Sequence, residues 1–164
     1  MVSYVIKQEH LCLLLSLCLT ATMNTYAAQW QTKDQIKKAL ESKSIAIVGL
    51  SSNTLRDSNL VGSYLLANGY KITPVNPNED EVFGIKSFRT LLDIPYPIEL
   101  VNVFRDSSVI PDIAKEAVSI GANYLWLQYG LSSPIGVAIA ENGNMTCIVD
   151  KCLKVEHEIQ KLTK

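Results

Sequence analysis

The chain has 164 residues, of which 48% are hydrophobic and 19% are charged, a composition typical of one globular domain and not of a disordered chain. Its formal net charge of −1 provides no general basic field, which argues against nucleic acid or an anionic membrane as a partner. The four cysteines have neither the spacing of a zinc site nor that of a disulfide framework. We expect reduced thiols and no metal site.

The first 30 residues have two interpretations. Lys7 and the apolar run over residues 11–21 (LCLLLSLCLTA) resemble a secretory signal peptide, and residues 25–27 (TYA) offer a small–x–small cleavage site. The run is too short to span a bilayer comfortably, because a transmembrane helix needs about 20 apolar residues. Alternatively, translation starts at Met23, and the residues before it are an upstream artefact.

The two interpretations predict different compartments. A signal peptide over residues 1–27 implies export, whereas a start at Met23 implies a cytoplasmic protein, and neither leaves a membrane span in the mature chain. In both cases we divide the chain into a signal peptide or upstream segment over residues 1–28 and a single domain over residues 29–164.

From residue 32 onward, helix-like and strand-like segments alternate. Short β-branched runs predict buried parallel strands at residues 44–48, 70–75, 98–104, 124–128 and 145–149. Helical spacing and capping residues predict helices after Thr32, after the loop 50–56, over residues 108–120, after Ser133 and at the C-terminus. This alternation predicts a Rossmann-like, doubly wound α/β fold with a parallel sheet of about five strands.

Two of these helices have faces that we expect to be buried. Asp57 and Ser58 are candidate N-caps of the helix that follows the loop 50–56. The apolar residues at helical spacing are Leu60, Val61, Tyr64 and Leu65 in that helix, and Val155, Ile159 and Leu162 in the last one.

The candidate site follows from the fold, because doubly wound sheets bind ligands at the carboxyl ends of their strands. The chain carries small, hydroxyl, amide and arginine residues there. They are Gly49, Ser51, Ser52, Asn53, Arg56 and Ser58 after the first strand, Asn76 and Pro77 after the second, Arg105 after the next, and Gln128 and Gly130 after the penultimate one. Helix N-terminal N–H groups beside an arginine suit a phosphate, and the amides and proline suit a ribose and a flat base.

A nicotinamide dinucleotide is disfavoured as the ligand. The GxGxxG fingerprint needs three glycines, but the corresponding positions hold Gly49, Ser51 and Thr54. The second strand ends in Val75 and Asn76, so it offers no acidic residue for a ribose hydroxyl. A Walker A loop is also absent from the sequence.

Five motifs at these strand ends carry a family resemblance. They are IAIVGLSSN (45–53), PVNPN (74–78), VNVFR (101–105), WLQYG (126–130) and VDKCLKVEH (149–157). In this order and spacing, the chain resembles the small stand-alone CoA-binding proteins related to the CoA-binding domain of the succinyl-CoA synthetase α subunit.

The resemblance implies that the ligand is coenzyme A or an acyl-CoA. It places Gly49, Ser51, Ser52 and Asn53 at the pyrophosphate, Asn76 and Pro77 beside the adenosine, Phe104 and Arg105 along the cleft, and Gln128 and Gly130 beside the pantetheine. Three positions depart from the family pattern: Asp57 replaces a proline, Asn59 a tyrosine and Lys151 an arginine.

No complete catalytic site is visible in the sequence. The leading hypothesis is therefore a CoA-binding or acyl-CoA-binding module that acts as a sensor, carrier or partner module, as a homo-oligomer or with a partner protein. One alternative is a thiol-reactive or redox protein that uses Cys152. Another is a degenerate Rossmann domain that serves as an interaction domain, or a binder of a different nucleotide.

Overall fold

The computed structural model describes residues 31–163, and these form a five-stranded parallel sheet between two layers of helices. The sheet contains β1 (Ser44–Val48), β2 (Lys71–Val75), β5 (Leu100–Val103), β6 (Tyr124–Leu127) and β7 (Thr146–Ile148), and a separate hairpin contains β3 (Glu81–Val82) and β4 (Ile85–Lys86). The helices are α1 (Lys33–Leu40), α2 (Asp57–Ala67), α3 (Ile110–Ser119), α4 (Pro134–Asn142) and α5 (Leu153–Leu162), with 3-10 turns at Leu91–Asp93 and Ser107–Val109. The predicted fold is confirmed. The predictions for the leader and for Met23 lie outside the described residues.

Alternating side chains of the strands build a hydrophobic core on each face of the sheet. In β1, Ile45 and Ile47 pack with α1, α2 and α5, whereas Ala46 and Val48 pack with α3 and α4. Successive residues of a strand point to opposite faces, so a strand covered on both sides must be apolar throughout. This requirement explains the continuous SIAIV run of β1.

The strand order β2-β1-β5-β6-β7 creates a switch point at the centre of the sheet. The chain moves outward from β1 to β2 and then returns to the other side of β1 to form β5. The connections that leave β1 and β5 therefore diverge to opposite faces of the sheet. A crevice opens where they separate, and this is where doubly wound folds bind ligands.

The outer edge of the sheet at β2 has its own protection. Pro74 has no N–H group to offer a further strand, which is tolerated at an edge, and its carbonyl accepts a hydrogen bond from Phe88 N–H at 3.0 Å. The hairpin that follows turns at Phe83 (φ 58°) and Gly84 (φ 74°), a left-handed pair typical of a tight β-turn. This hairpin was not predicted, because two-residue strands carry too little periodicity.

Of the local predictions at the helices, one is confirmed and others differ from the structure. The capping box of Thr32 and Gln35 is confirmed, with hydrogen bonds of 2.7 and 3.2 Å. However, α2 begins with Arg56 as its N-cap residue, and Asp57 is the first helical residue. The prediction that Asp57 or Ser58 caps α2 is therefore wrong. Leu60 is 52% exposed and not buried, because it faces a cleft.

The predicted buried face of α5 is also wrong. The exposed residues of this helix include Val155, Ile159 and Leu162. The helix instead buries Leu153 and turns His157 inward, where Nδ1 lies 2.8 Å from the Tyr64 hydroxyl and the imidazole ring packs edge-on against Tyr70. Helical spacing pointed to the apolar stripe of α5 as the buried face. In the structure, the contacts of His157 with Tyr64 and Tyr70 decide which face of α5 packs against the domain.

Gly49 controls how closely β1 and β5 approach at the switch point. Its φ is +86°, and a Cβ atom there would lie 2.6 Å from the Phe104 carbonyl oxygen. Gly69 also has a left-handed φ, +83°, but nothing lies within 4 Å of its Cβ position.

We therefore expect Gly49→Ala to lower the free energy of unfolding more than Gly69→Ala. The Gly69 variant carries only the left-handed strain, about 1–2 kcal/mol, while the Gly49 variant adds a backbone clash of at least about 1 kcal/mol. Urea denaturation with unchanged m values measures both losses. Equal losses would contradict the close approach.

Candidate functional site

A cleft runs along the carboxyl edge of the sheet and consists of two adjoining cavities. The first, which we call the loop cavity, has a volume of about 430 Å³ and is lined by Gly49, Ser51, Arg56, Asp57, Ser58, Asn76, Asn78, Phe104, Arg105 and Asp106. The second, the wide cavity, has a volume of about 920 Å³ and extends toward β6 and α5. The two share Asp57, Phe104, Arg105 and Asp106. Most of the predicted site residues therefore meet in one continuous cleft.

Buried polar side chains hold the loop between β1 and α2 in place. Ser51 N–H donates to the Ser58 hydroxyl at 3.2 Å, and the Asn59 amide donates to the Ser51 carbonyl at 2.8 Å. From the position just after β2, the Asn76 amide donates to the Leu50 carbonyl at 2.9 Å. Ser58, Asn59 and Asn76 are all buried. They fix the shape of the loop, so its remaining N–H and hydroxyl groups are pre-organised.

Some predicted site residues shape the rim and do not line either cavity. Asn53 accepts a hydrogen bond from Leu55 N–H at 2.9 Å, which closes a tight turn in the loop. Gly130 donates its N–H to the Asp150 carboxylate at 2.7 Å. Pro77 is exposed beside the loop cavity. These residues, together with Ser52, are absent from the lining of both cavities.

An acidic side chain that the sequence analysis missed lies in this loop. The Glu79 Oε1 atom accepts hydrogen bonds from Ser52 N–H at 2.9 Å, from the Ser52 hydroxyl at 3.1 Å and from the Ser51 hydroxyl at 3.2 Å. The Ser52 N–H, aided by the two hydroxyls, holds the pKa of Glu79 below its ordinary value. The sequence has no acid at Val75 or Asn76, where β2 ends, but the turn after Asn76 brings Glu79 back to the loop.

The two arginines at the cleft are available to an anionic ligand. Within residues 31–163, no carboxylate lies within 4.0 Å of the Arg56 or Arg105 guanidinium. The Asp106 carboxylate is engaged elsewhere, because it accepts a hydrogen bond from Ser108 N–H at 2.9 Å. The Ser108 side chain and N–H together lower the pKa of Asp106. Asp57 occupies the first turn of α2, where the helix dipole favours a negative charge.

The wide cavity has a polar floor that is fixed by a buried amide pair. Gln128 is 4% exposed, and its amide nitrogen donates to the Asn102 Oδ1 atom at 2.7 Å. Asn102 is fully buried, and its own amide nitrogen has no hydrogen-bond partner within the described part of the chain. Because the Gln128 amide nitrogen is bonded to Asn102, the Gln128 amide oxygen can accept a hydrogen bond from a ligand donor.

Apolar side chains form a wall of the same cavity. Leu60 on α2 and Val155 on α5 are 52% and 46% exposed, and both line the wide cavity together with Leu131. Helical spacing had predicted Leu60 and Val155 to be buried. Their exposure in one cleft indicates a surface that an apolar group could cover.

The described region offers neither a metal cluster nor a membrane-spanning helix. Among residues 31–163, no group of three or more histidine, cysteine or acidic side chains is arranged to hold a metal ion. None of the helices in the same range combines the length and apolar character needed to cross a bilayer.

Comparison with known proteins identifies the family. A family model described as a CoA binding domain matches residues 43–158. The chain belongs to this CoA-binding domain family. The match spans the strand ends and the cleft that they form.

Relatives of this CoA-binding domain include both small and large proteins. Protein YneT of Bacillus subtilis is 40% identical over 131 residues, which cover 79% of this chain and 97% of YneT. An ADP-forming acetate–CoA ligase of Methanocaldococcus jannaschii is 30% identical over 135 residues, or 77% of this chain but only 19% of the ligase. A solved structure of a hypothetical protein from Pyrococcus horikoshii has a TM-score of 0.77 and 35% identity, covering 79% of this chain and 92% of that one.

The two cysteines of the CoA-binding domain have different environments. Cys147 is buried, and this burial, with a smaller effect of Glu141, raises the pKa of its thiol to about 12. Cys152 is half-buried and lines the wide cavity. Access to a thiolate decides cysteine reactivity, so of the two cysteines within residues 31–163, Cys152 is the one placed to react with a molecule in the cleft.

We expect an alkylating reagent at pH 8 to modify Cys152 in the folded protein and to leave Cys147 intact until the protein unfolds. Peptide mapping by mass spectrometry measures the two rates, and Cys152→Ser is the control. Comparable rates would contradict the assignment. The thiol-reactive alternative stays a prediction, and a mixed disulfide at Cys152 after incubation with CoA disulfide would support it.

Proposed function

We propose that the protein binds coenzyme A or an acyl-CoA across this cleft and acts as a sensor, carrier or partner module without a complete catalytic site. The observation that carries the proposal is the pre-organised loop after β1. Three donors from Ser51 and Ser52 converge on one oxygen atom there. Convergent N–H and hydroxyl donors next to a helix N-terminus are the arrangement that binds phosphate oxygens.

The charges around the loop support the pyrophosphate assignment. Arg56 and Arg105 line the loop cavity, and guanidinium groups bind phosphates through strong, charge-assisted hydrogen bonds. Family membership supports CoA as the nucleotide. The incomplete glycine fingerprint at Ser51 and Thr54 argues against NAD.

The rest of the cleft suits the two ends of CoA. We assign Asn76 and Pro77 to the adenosine end, because they lie at the carboxyl end of β2. We assign Gln128 and Gly130 to the pantetheine end, and Phe104 to the cleft between the two ends, because it lines both cavities. The orientation of Gln128, with its nitrogen bound to Asn102, leaves a carbonyl oxygen suited to a pantetheine amide N–H.

A binding role without turnover is supported by what lines the cleft. Its described lining contains the Cys152 thiol but no histidine, so it lacks the Cys–His pair of many nucleophilic enzymes. The ligase relative is a much longer protein, of which the matched region is 19%. We infer that ligase chemistry involving this chain requires another protein, whereas the thiol-reactive alternative at Cys152 is separate and stays a prediction.

We expect CoA to raise the apparent stability of the protein, by about 2.7 kcal/mol at a concentration of 100 times Kd, and NAD to do so much less. Arg105→Gln should weaken CoA binding about tenfold or more through the lost charge-assisted contact. Lys71→Gln is the matched control, because Lys71 is the first residue of β2 and therefore lies at the end of the strands opposite to the cleft. Calorimetry measures the affinities, and absence of CoA binding would refute the proposal.

We also expect the apolar wall to favour longer acyl groups. Affinity should rise from acetyl-CoA to hexanoyl-CoA, by at most about fourfold per methylene, because each buried methylene contributes about 0.8 kcal/mol. Val155→Ser should flatten this series. Ile159→Ser on the same helix, 50% exposed and outside the cleft lining, should not. A chain-length series that is flat in the native protein would contradict an acyl site.

A further inference from the structure

The donors assigned above to the pyrophosphate are already engaged within the protein. The Glu79 carboxylate accepts from Ser52 N–H and from the hydroxyls of Ser51 and Ser52 at 2.9–3.2 Å. A phosphate oxygen needs the same donors in the same place. Two anionic groups cannot share them, because like charges at contact distance repel strongly.

We propose that Glu79 is an internal competitor that occupies the phosphate loop of the free protein and must leave before a phosphate-bearing ligand binds. The proposal rests on the assignment of this loop to phosphate in the proposed function. It makes Glu79 a residue that determines how tightly, and for which ligands, the loop after β1 binds.

The backbone around Glu79 allows the side chain to leave without unfolding the segment. On one side, Glu79 N–H donates to the Asn76 carbonyl at 3.3 Å, and Asn76 is buried. On the other side, Ser87 N–H donates to the Asp80 carbonyl at 2.9 Å. The main chain is therefore anchored at both ends, while the Glu79 side chain is only partly buried. A change of side-chain rotamer suffices to open the loop.

The two acids that line the loop cavity, Asp57 and Asp106, do not have the same role as Glu79. The Asp106 carboxylate accepts a hydrogen bond from Ser108 N–H. Asp57 lines the loop cavity, but within the described residues its carboxylate makes no hydrogen bond to Ser51 or Ser52. Its charge lies in the first turn of α2, where the helix dipole compensates it. Glu79 is thus the acid that blocks donors directly, whereas Asp57 acts on a ligand only through its field.

The contact predicts a selective effect on ligands. Removing the Glu79 charge should strengthen the binding of CoA, ADP and inorganic pyrophosphate, which all present phosphate oxygens to the loop. The same change should leave pantetheine unaffected, because that molecule carries no phosphate.

Glu79→Gln tests the proposal against Glu81→Gln, which removes the same charge from an exposed position in β3. In calorimetric titrations, we expect Glu79→Gln to bind ADP and pyrophosphate about five- to tenfold more tightly than the native protein. Glu81→Gln should stay within about twofold of it. Thermal unfolding checks that both variants fold.

A second measurement needs no variant. In the free protein, the amide resonance of Ser52 should follow an acidic titration below the ordinary carboxyl range, since the Glu79 pKa is lowered by that N–H. Protonation of Glu79 at low pH weakens the contact. Saturating pyrophosphate should abolish this acidic step, and its persistence would overturn the proposal.

The outcomes separate the two proposals. Unchanged or weaker pyrophosphate binding by Glu79→Gln overturns the competitor role, and so does an equal gain in Glu81→Gln. Tighter ADP and pyrophosphate binding without any CoA binding supports the competitor role and refutes the proposed function. If no phosphate compound binds any of the three proteins, both proposals fail.

Discussion

The close approach of β1 and β5 is the constraint on which the cleft depends. The chain must leave these neighbouring strands toward opposite faces of the sheet, and the turn after β1 passes directly over the end of β5. Only glycine fits at position 49, because any Cβ would collide with the Phe104 carbonyl. This contact sets the position of the loop, of Arg105 and of the first turn of α2 at once.

The cleft differs from a strongly basic nucleotide site. Its lining contains equal numbers of basic and acidic side chains, so the charges balance. The basic ones are Arg56, Arg105, Lys151 and Lys154, and the acidic ones are Asp57, Asp106, Asp150 and Glu156. Long-range attraction of an anionic ligand is correspondingly weak. Recognition then depends on short-range donors and on their correct geometry, which the buried Ser58, Asn59 and Asn76 maintain.

The sequence predicted those parts of the molecule that depend on local pattern. The five buried strands follow from the runs of apolar residues. The polar residues at the cleft, such as Gly49, Asn76 and Arg105, follow from their place directly after a strand. Features decided by tertiary packing were missed. Helical spacing cannot distinguish an apolar stripe that docks from one that lines a cleft, so Val155 was misassigned. Glu79 reaches the loop through the turn after Asn76, which no periodicity reveals.

The far edge of the sheet is closed by a side chain. The Gln31 amide donates to the Val149 carbonyl at 2.7 Å and accepts from Val149 N–H, so it pairs with the end of β7 as a neighbouring strand would. The next residues, Asp150 to Cys152, line the wide cavity. Gln31 therefore supports the wall of the cleft from outside it, and a domain boundary drawn after Gln31 would leave that wall without its support.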